Sequence, residues 1–191
     1  MKPYMPKAET DLFIKYLNKT TDGRFYEFGS GGSTYLACTL NGISTIWSME
    51  SDTSFFNTMM KEPVIQEAIH KGKLKYLLTD VGSYNNWGNP ALGTLKSQWS
   101  PYFSHIDNLS QTPTILLIDG RFRVACALHA YNKINEHTYV LFDDFTDRPF
   151  YHSVLKYYKV IETAGRMVVL QKKSGMSIDS ADLEVYESDC R

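Results

Sequence analysis

The sequence has few cysteines, almost no net charge and no long apolar run. Its 3 cysteines, Cys38, Cys126 and Cys190, lack the short paired spacing of a zinc module. An odd number also leaves one thiol over in any disulfide scheme, so free thiols in a reducing, cytoplasmic compartment are expected. The 20 Lys and Arg stand against 21 Asp and Glu, a net charge of -1. That excludes a global field able to draw in nucleic acid or an anionic membrane, and partners must be recognised locally. No apolar stretch reaches membrane-spanning length, and no basic, apolar, small-residue leader opens the chain. What is present is core material: 43% of the 191 residues are hydrophobic, which supports one self-sufficient domain over 1–191 without staples.

The periodicity alternates between strand and helix. Leu12, Phe13, Tyr16 and Leu17 recur at helical spacing behind Glu9 and Asp11, predicting an N-terminal helix over about 8–18. Strands follow at 25–28, 43–49, 74–78, 114–118 and 139–142, separated by helical stretches at 34–40, 53–60, 64–70, 122–134 and 149–158. The run Ile115-Leu116-Leu117-Ile118 has no polar interruption, as a central parallel strand buried on both faces requires. Residues 160–163 and 167–171 flank Ala164-Gly165 as a terminal hairpin. The segment 81–113 has no sustained period and predicts a substrate-side insertion with a short helix near 95–103. The polar stretch at about 174–191 predicts a loosely docked tail. The fold class is therefore α/β: a Rossmann-like, doubly wound sheet of about seven strands, mostly parallel with an antiparallel C-terminal hairpin strand, and helices on both faces.

Acidic residues fall at successive strand ends: Glu27, Glu50, Asp80, Asp119 and the pair Asp143-Asp144. Ligands of such sheets bind beyond the carboxyl ends of the strands, so these acids can ring one crevice. Between the first strand and its helix lies Gly29-Ser30-Gly31-Gly32-Ser33, a turn whose backbone can approach a ligand closely. An acid at the position of Glu50 can hold both hydroxyls of a ribose.

These residues resemble the class I S-adenosylmethionine-dependent methyltransferases. Their first motif, acid-x-Gly-x-Gly, is matched by Glu27-Phe28-Gly29-Ser30-Gly31; Glu50 matches the acid of the second strand, and Asp80 the Asp near the adenine. A dinucleotide-binding turn carries a third glycine three positions on, where this chain has Thr34. The resemblance implies cofactor contacts from Glu27, Gly29, Ser30, Gly31, Ser33, Glu50, Asp80 and Asp119. Asp119-Gly120 with Asp143-Asp144 is similar to the metal-dependent O-methyltransferases of the catechol and macrolide-sugar types. That implies Asp119, Asp143 and Asp144 as ligands of Mg2+, or of Mn2+ or Ca2+, and a hydroxyl acceptor activated by the metal. The plainer alternatives are that Asp143 caps the next turn and that Asp119 only binds the cofactor's amino group.

Where those relatives often carry a His or Lys, this chain has Arg121 and Arg123, which stay protonated and make poor bases. The catalytic candidates are Asp119, His105 and His152. Arg121 or Arg123 can clamp an anionic group or simply pair with the acidic ring, and Trp87, Trp99 and Tyr102 of the insertion can stack on a sugar or planar acceptor, or else cover the sheet end as a secondary core. The expected activity is O-methylation of a glycan or other small molecule, with no nucleic-acid partner and no membrane span, by the chain alone, as a homo-oligomer or within a larger biosynthetic assembly. A nucleotide- or NAD-binding enzyme acting on sugars, and a non-catalytic methyltransferase-like module, are the other classes.

Overall fold

The computed structural model describes residues 1–85, 89–91, 94 and 96–191. Helix α1 (Lys7–Leu17) leads into β1 (Gly23–Phe28), α2 (Gly32–Thr39), β2 (Ile43–Glu50), α3 (Thr53–Met59), α4 (Pro63–His70) and β3 (Leu74–Leu78). A 3-10 turn at Lys96–Gln98, the short helix α5 (Ser100–Ser104) and a second 3-10 turn at His105–Asn108 precede β4 (Ile115–Ile118). Helix α6 (Arg123–Lys133), β5 (Tyr139–Phe142), a 3-10 helix at Pro149–Lys156, the hairpin β6 (Tyr158–Ala164) and β7 (Met167–Lys172), and α7 (Ser180–Tyr186) complete the order.

Among the described residues, seven strands form one sheet in the order β3-β2-β1-β4-β5-β7-β6. Pairing is parallel from β3 through β5, and β7 runs antiparallel to both β5 and β6. The hairpin forms as its sequence predicts, but its second strand does not lie at the edge: β7 inserts between β5 and β6. Its run of buried Met167, Val168, Val169 and Leu170 explains this, because β6 exposes Val160 and Ile161 and suits a rim.

Side chains alternate across the sheet. Tyr26, Phe28, Leu116 and Ile118 face one apolar cluster beneath α6 and the insertion; Phe25, Ile115 and Leu117 face the other, beneath α1, α2 and α4. Strand order reverses between β1 and β4, so the crevice opens at their carboxyl ends, where Phe28 pairs with Ile118.

Two expectations are corrected here. Trp99 and Tyr102 offer no stacking surface: they are 8% and 1% exposed and pack with Phe103 around Phe122, ring centroids 5.3 to 5.8 Å apart. The secondary-core alternative holds for them because burying large aromatic area outweighs leaving it for a ligand. Trp87 lies outside the described residues. The tail is not loosely docked. Its helix α7 is tied down by Tyr157 donating to Asp182 and by His129 bonding Glu187 at 2.8 Å, and the Cys190 and Arg191 carbonyls accept the Phe122 and Arg123 amides at the start of α6. Polar composition concealed this, although Ile178, Leu183 and Tyr186 also pack against the core cluster beneath α6. Among the described residues no helix is long and apolar enough to cross a membrane.

Candidate functional site

The crevice begins at the glycine turn that follows β1, and the structure gives Gly29 and Gly31 different reasons for being glycine. Gly29 has φ +93°, and a Cβ there would lie 2.6 Å from the Gly120 Cα. The close approach of the β1 and β4 ends therefore demands it. Gly31 has extended backbone, φ 162°, that any residue adopts. A Cβ on Gly31 would meet nothing nearer than the Phe55 ring at 4.0 Å. Among the described residues nothing requires glycine there, so the bare backbone faces space left for something else.

Glu27 does not face that space. It is wholly buried and accepts hydrogen bonds from Ser33 Oγ at 2.7 Å and from the Thr34 hydroxyl. Thr34 Oγ1 in turn accepts from the Gly31 amide at 2.9 Å. The acid thus anchors the turn from beneath, with Thr34 as the link that a third glycine would have removed. Burial pushes the Glu27 carboxyl up to about 7, against the opposing hydroxyls of Thr34, Ser48 and Ser33. Ser33, expected at the cofactor, spends its hydroxyl on this anchor.

Glu50 ends β2 at the lip of the crevice. Its Oε1 accepts the Ser51 and Asp52 amides at 2.7 and 2.8 Å, and its Oε2 accepts the Ser30 hydroxyl at 2.5 Å. Ser30 Oγ also lies 2.7 Å from the Tyr76 hydroxyl, a residue that the motif reading missed. Tyr76 sits two positions before the end of β3, and only the sheet register brings it beside Ser30. The two amides fix the carboxylate's orientation, while burial raises its pKa. Asp80 follows β3 as expected but is exposed, with Oδ1 accepting the Gly82 amide at 2.8 Å.

On the other side of the switch point, Asp119, Asp143 and Asp144 converge as the sequence implied, with one oxygen of each within 4.8 Å of the others. Cations already fill that corner. Arg123, 2% exposed, reaches Asp119 Oδ1 and Asp144 Oδ2 at 3.2 Å each, Arg148 reaches Asp144 Oδ2 at 2.9 Å, and Arg166 reaches Asp144 Oδ1 at 2.5 Å. With both Asp144 oxygens held by guanidinium groups, a divalent cation does not fit these residues as they stand. Neither Arg148 nor Arg166 carried a sequence signal, because only the folded chain brings them to Asp144, Arg166 from the hairpin tip and Arg148 from four residues on. Burial drives Asp119 well above the usual carboxylate range, Asp143 and Asp144 add to this, and Arg123 opposes it. Asp119 keeps 29% of its side chain exposed against 9% for Asp144, so it is the acid that faces the opening. Phe122 and Asp144, just past β4 and β5, both take positive φ of 55° and 57°, conformations that tertiary packing must hold in place.

The remaining candidates are placed as follows. Arg121 donates from Nη1 to Asn89 Oδ1 at 3.0 Å, its Nε is buried without a partner, and among the described residues it makes no ion pair with a carboxylate. Burial and neighbouring Arg123 lower its pKa. His105 lies 3.1 Å from the Tyr26 hydroxyl, under the insertion rather than at the crevice, and burial lowers its pKa. His152 bonds through Nε2 to the Phe145 carbonyl at 2.9 Å and stacks on the Phe145 ring. That bond makes Nε2 the protonated nitrogen and leaves Nδ1 the acceptor.

No protein-family model and no curated protein sequence matches the chain. Solved structures do. The chain is similar to a methyltransferase-like protein from Silicibacter pomeroyi at 25% identity, over 98% of this chain and 97% of that one, with a TM-score of 0.82. It is similar to the tRNA methyltransferase TrmI from Aquifex aeolicus at 14% identity, over 92% and 72% of the two chains, with a TM-score of 0.53. It is also similar to a variant of MtNAS solved in complex with S-adenosylmethionine, at 11% identity over 88% and 63%, TM-score 0.53.

Proposed function

We propose that this chain, which has the fold of the class I S-adenosylmethionine-dependent methyltransferases, binds that cofactor over β1 and β2 and methylates a hydroxyl of a glycan or other small molecule entering over β4 and β5. The observation that carries the reading is Gly31: a glycine with no internal reason to be one, on the motif turn, beside a carboxylate preset by two amides. When bound, the cofactor supplies an electrophilic methyl on sulfur: the acceptor oxygen forms the new O–C bond, the C–S electron pair returns to sulfur, and the hydroxyl proton leaves.

The chain's residues supply position and charge. Gly31 gives backbone access, with Ser30 beside it. Glu50 accepts the ribose hydroxyls, exchanging its bond to Ser30 for them. Asp119, open to the crevice, takes the acceptor's proton. Arg121, with donor capacity to spare, binds an electron-rich group on the acceptor.

Titration calorimetry with S-adenosylhomocysteine tests this. Saturable binding is expected, with Glu50→Gln weakening it about tenfold because the ribose loses a charged acceptor. No binding at high micromolar concentration would remove the reading, and NAD binding in its place would transfer the site to the nucleotide class. TrmI is named for tRNA, so the acceptor class is tested separately. Retardation of tRNA at physiological salt would displace the small-molecule acceptor.

A further inference from the structure

The corner where β4 meets β5 contains its own cation. Arg123 opens α6 and turns back between the two strand ends, so that its guanidinium is nearly enclosed. Nε donates to the Gly120 carbonyl at 2.9 Å and Nη1 to the Asp143 carbonyl at 2.6 Å, while Nη2 faces both Asp119 and Asp144 at 3.2 Å. One side chain thereby ties the backbone after β4 to the backbone after β5 and neutralises the carboxylates between them. Arg148 and Arg166 close the outer side of Asp144, so three guanidinium groups meet two of the three carboxylates, Asp119 and Asp144. The Asp143 carboxylate stands apart from these ion pairs, and among the described residues its buried Oδ1 has no hydrogen-bond partner. A divalent ion taking it would need further hard oxygen ligands, and the other two carboxylates of the cluster already hold Arg123.

We propose that Arg123 is the permanent cation of this corner, and that the chain transfers its methyl group without a divalent metal. This rests on the proposed methyltransferase reading. Arg123 is a positioning residue. It holds Asp119 at the mouth of the crevice by a bond to the carboxylate and a second to its neighbour's carbonyl, and it prevents the three acids from acting as a metal cage. The balance of the step needs no Lewis acid, since the C–S pair returns to sulfur and the proton passes to Asp119.

Mn2+ titration of the full chain, followed by electron paramagnetic resonance, tests the assignment. Calorimetry with S-adenosylhomocysteine on the same sample reports separately on the cofactor site. For the wild type, Mn2+ should stay free up to about 1 mM, the weak end of carboxylate sites. Arg123→Gln, with its fold checked by circular dichroism, should gain a saturable Mn2+ site at least about tenfold tighter than anything on the wild type. Asp143→Asn in that background should remove it. A micromolar Mn2+ site on the wild type that Asp143→Asn abolishes overturns the proposal, as does a folded Arg123→Gln chain that remains blind to Mn2+. If the Gln variant does not fold, the wild-type titration still decides, because it requires no variant. Loss of S-adenosylhomocysteine binding, by contrast, would strike the methyltransferase reading and leave the Mn2+ result standing.

Discussion

Gly31→Ala should leave the melting temperature where it is and weaken S-adenosylhomocysteine binding by roughly 10- to 100-fold, the cost of a methyl group placed where a ligand approaches the backbone. Gly29→Ala, two residues away, should do the reverse in kind. Its Cβ would press within 2.6 to 2.9 Å of Gly120 and Asp119 backbone atoms, at a φ of +93° that side chains rarely adopt. A loss of about 3 kcal/mol or more follows from those two terms together. In a chain of this length that lowers the melting temperature by roughly 6–12 °C. Differential scanning fluorimetry with calorimetry on both variants separates the roles. If Gly31→Ala destabilised the apo chain as much as Gly29→Ala, the turn would be serving packing alone and the cofactor reading would lose its main support.

The second large effect is on the pH dependence of stability. The Glu27 carboxyl rises from 4.5 to about 7 on folding because burial penalises its charge. A group raised in this way contributes stability that is fully present below about pH 4.5 and is lost as the pH rises through 7. At about 1.4 kcal/mol per unit, the loss amounts to up to about 3 kcal/mol. Glu27→Gln carries no charge to penalise, so its stability relative to the wild type should improve steadily between pH 4.5 and 8. Taking the difference between the two chains cancels His105, whose lowered pKa works in the opposite direction. Denaturant melts across that range check it. A constant difference at every pH would mean that Glu27 ionises normally and that its hydroxyl partners, rather than its burial, dominate.

Much of the fold was legible because the signals were local. The unbroken apolar run at β4, the motif turn after β1 and the hairpin around Gly165 each carry their reason within a few residues. Glu27 and Glu50 were also found by position, although the structure divides their duties: the first is a buried anchor and the second a group at the lip. What escaped was set by distance along the chain. Tyr76 reaches Ser30 only through the β2 to β3 register, and Arg148 and Arg166 reach Asp144 from a turn and a hairpin tip. The aromatic residues of the insertion had two readings of similar merit, and the location of Phe122 at their centre decided between them. The tail misled for a similar reason, because the partners of Asp182, Glu187 and its few apolar residues, Ile178, Leu183 and Tyr186, lie far away along the chain.

The position of β7 also bears on how the chain emerges during synthesis. Strand β6 is made first, yet it pairs with nothing except β7, and β5 must wait for the same partner. Until Met167–Lys172 has left the ribosome, the outer edge of β5 is open and β6 has no strand to pair with. The preceding five strands can pair as a unit while this rim waits, so closure of the sheet falls to one late event. A pause or truncation between β6 and β7 would therefore leave two unpaired strand edges on the same nascent molecule, the condition under which one copy invites pairing with another.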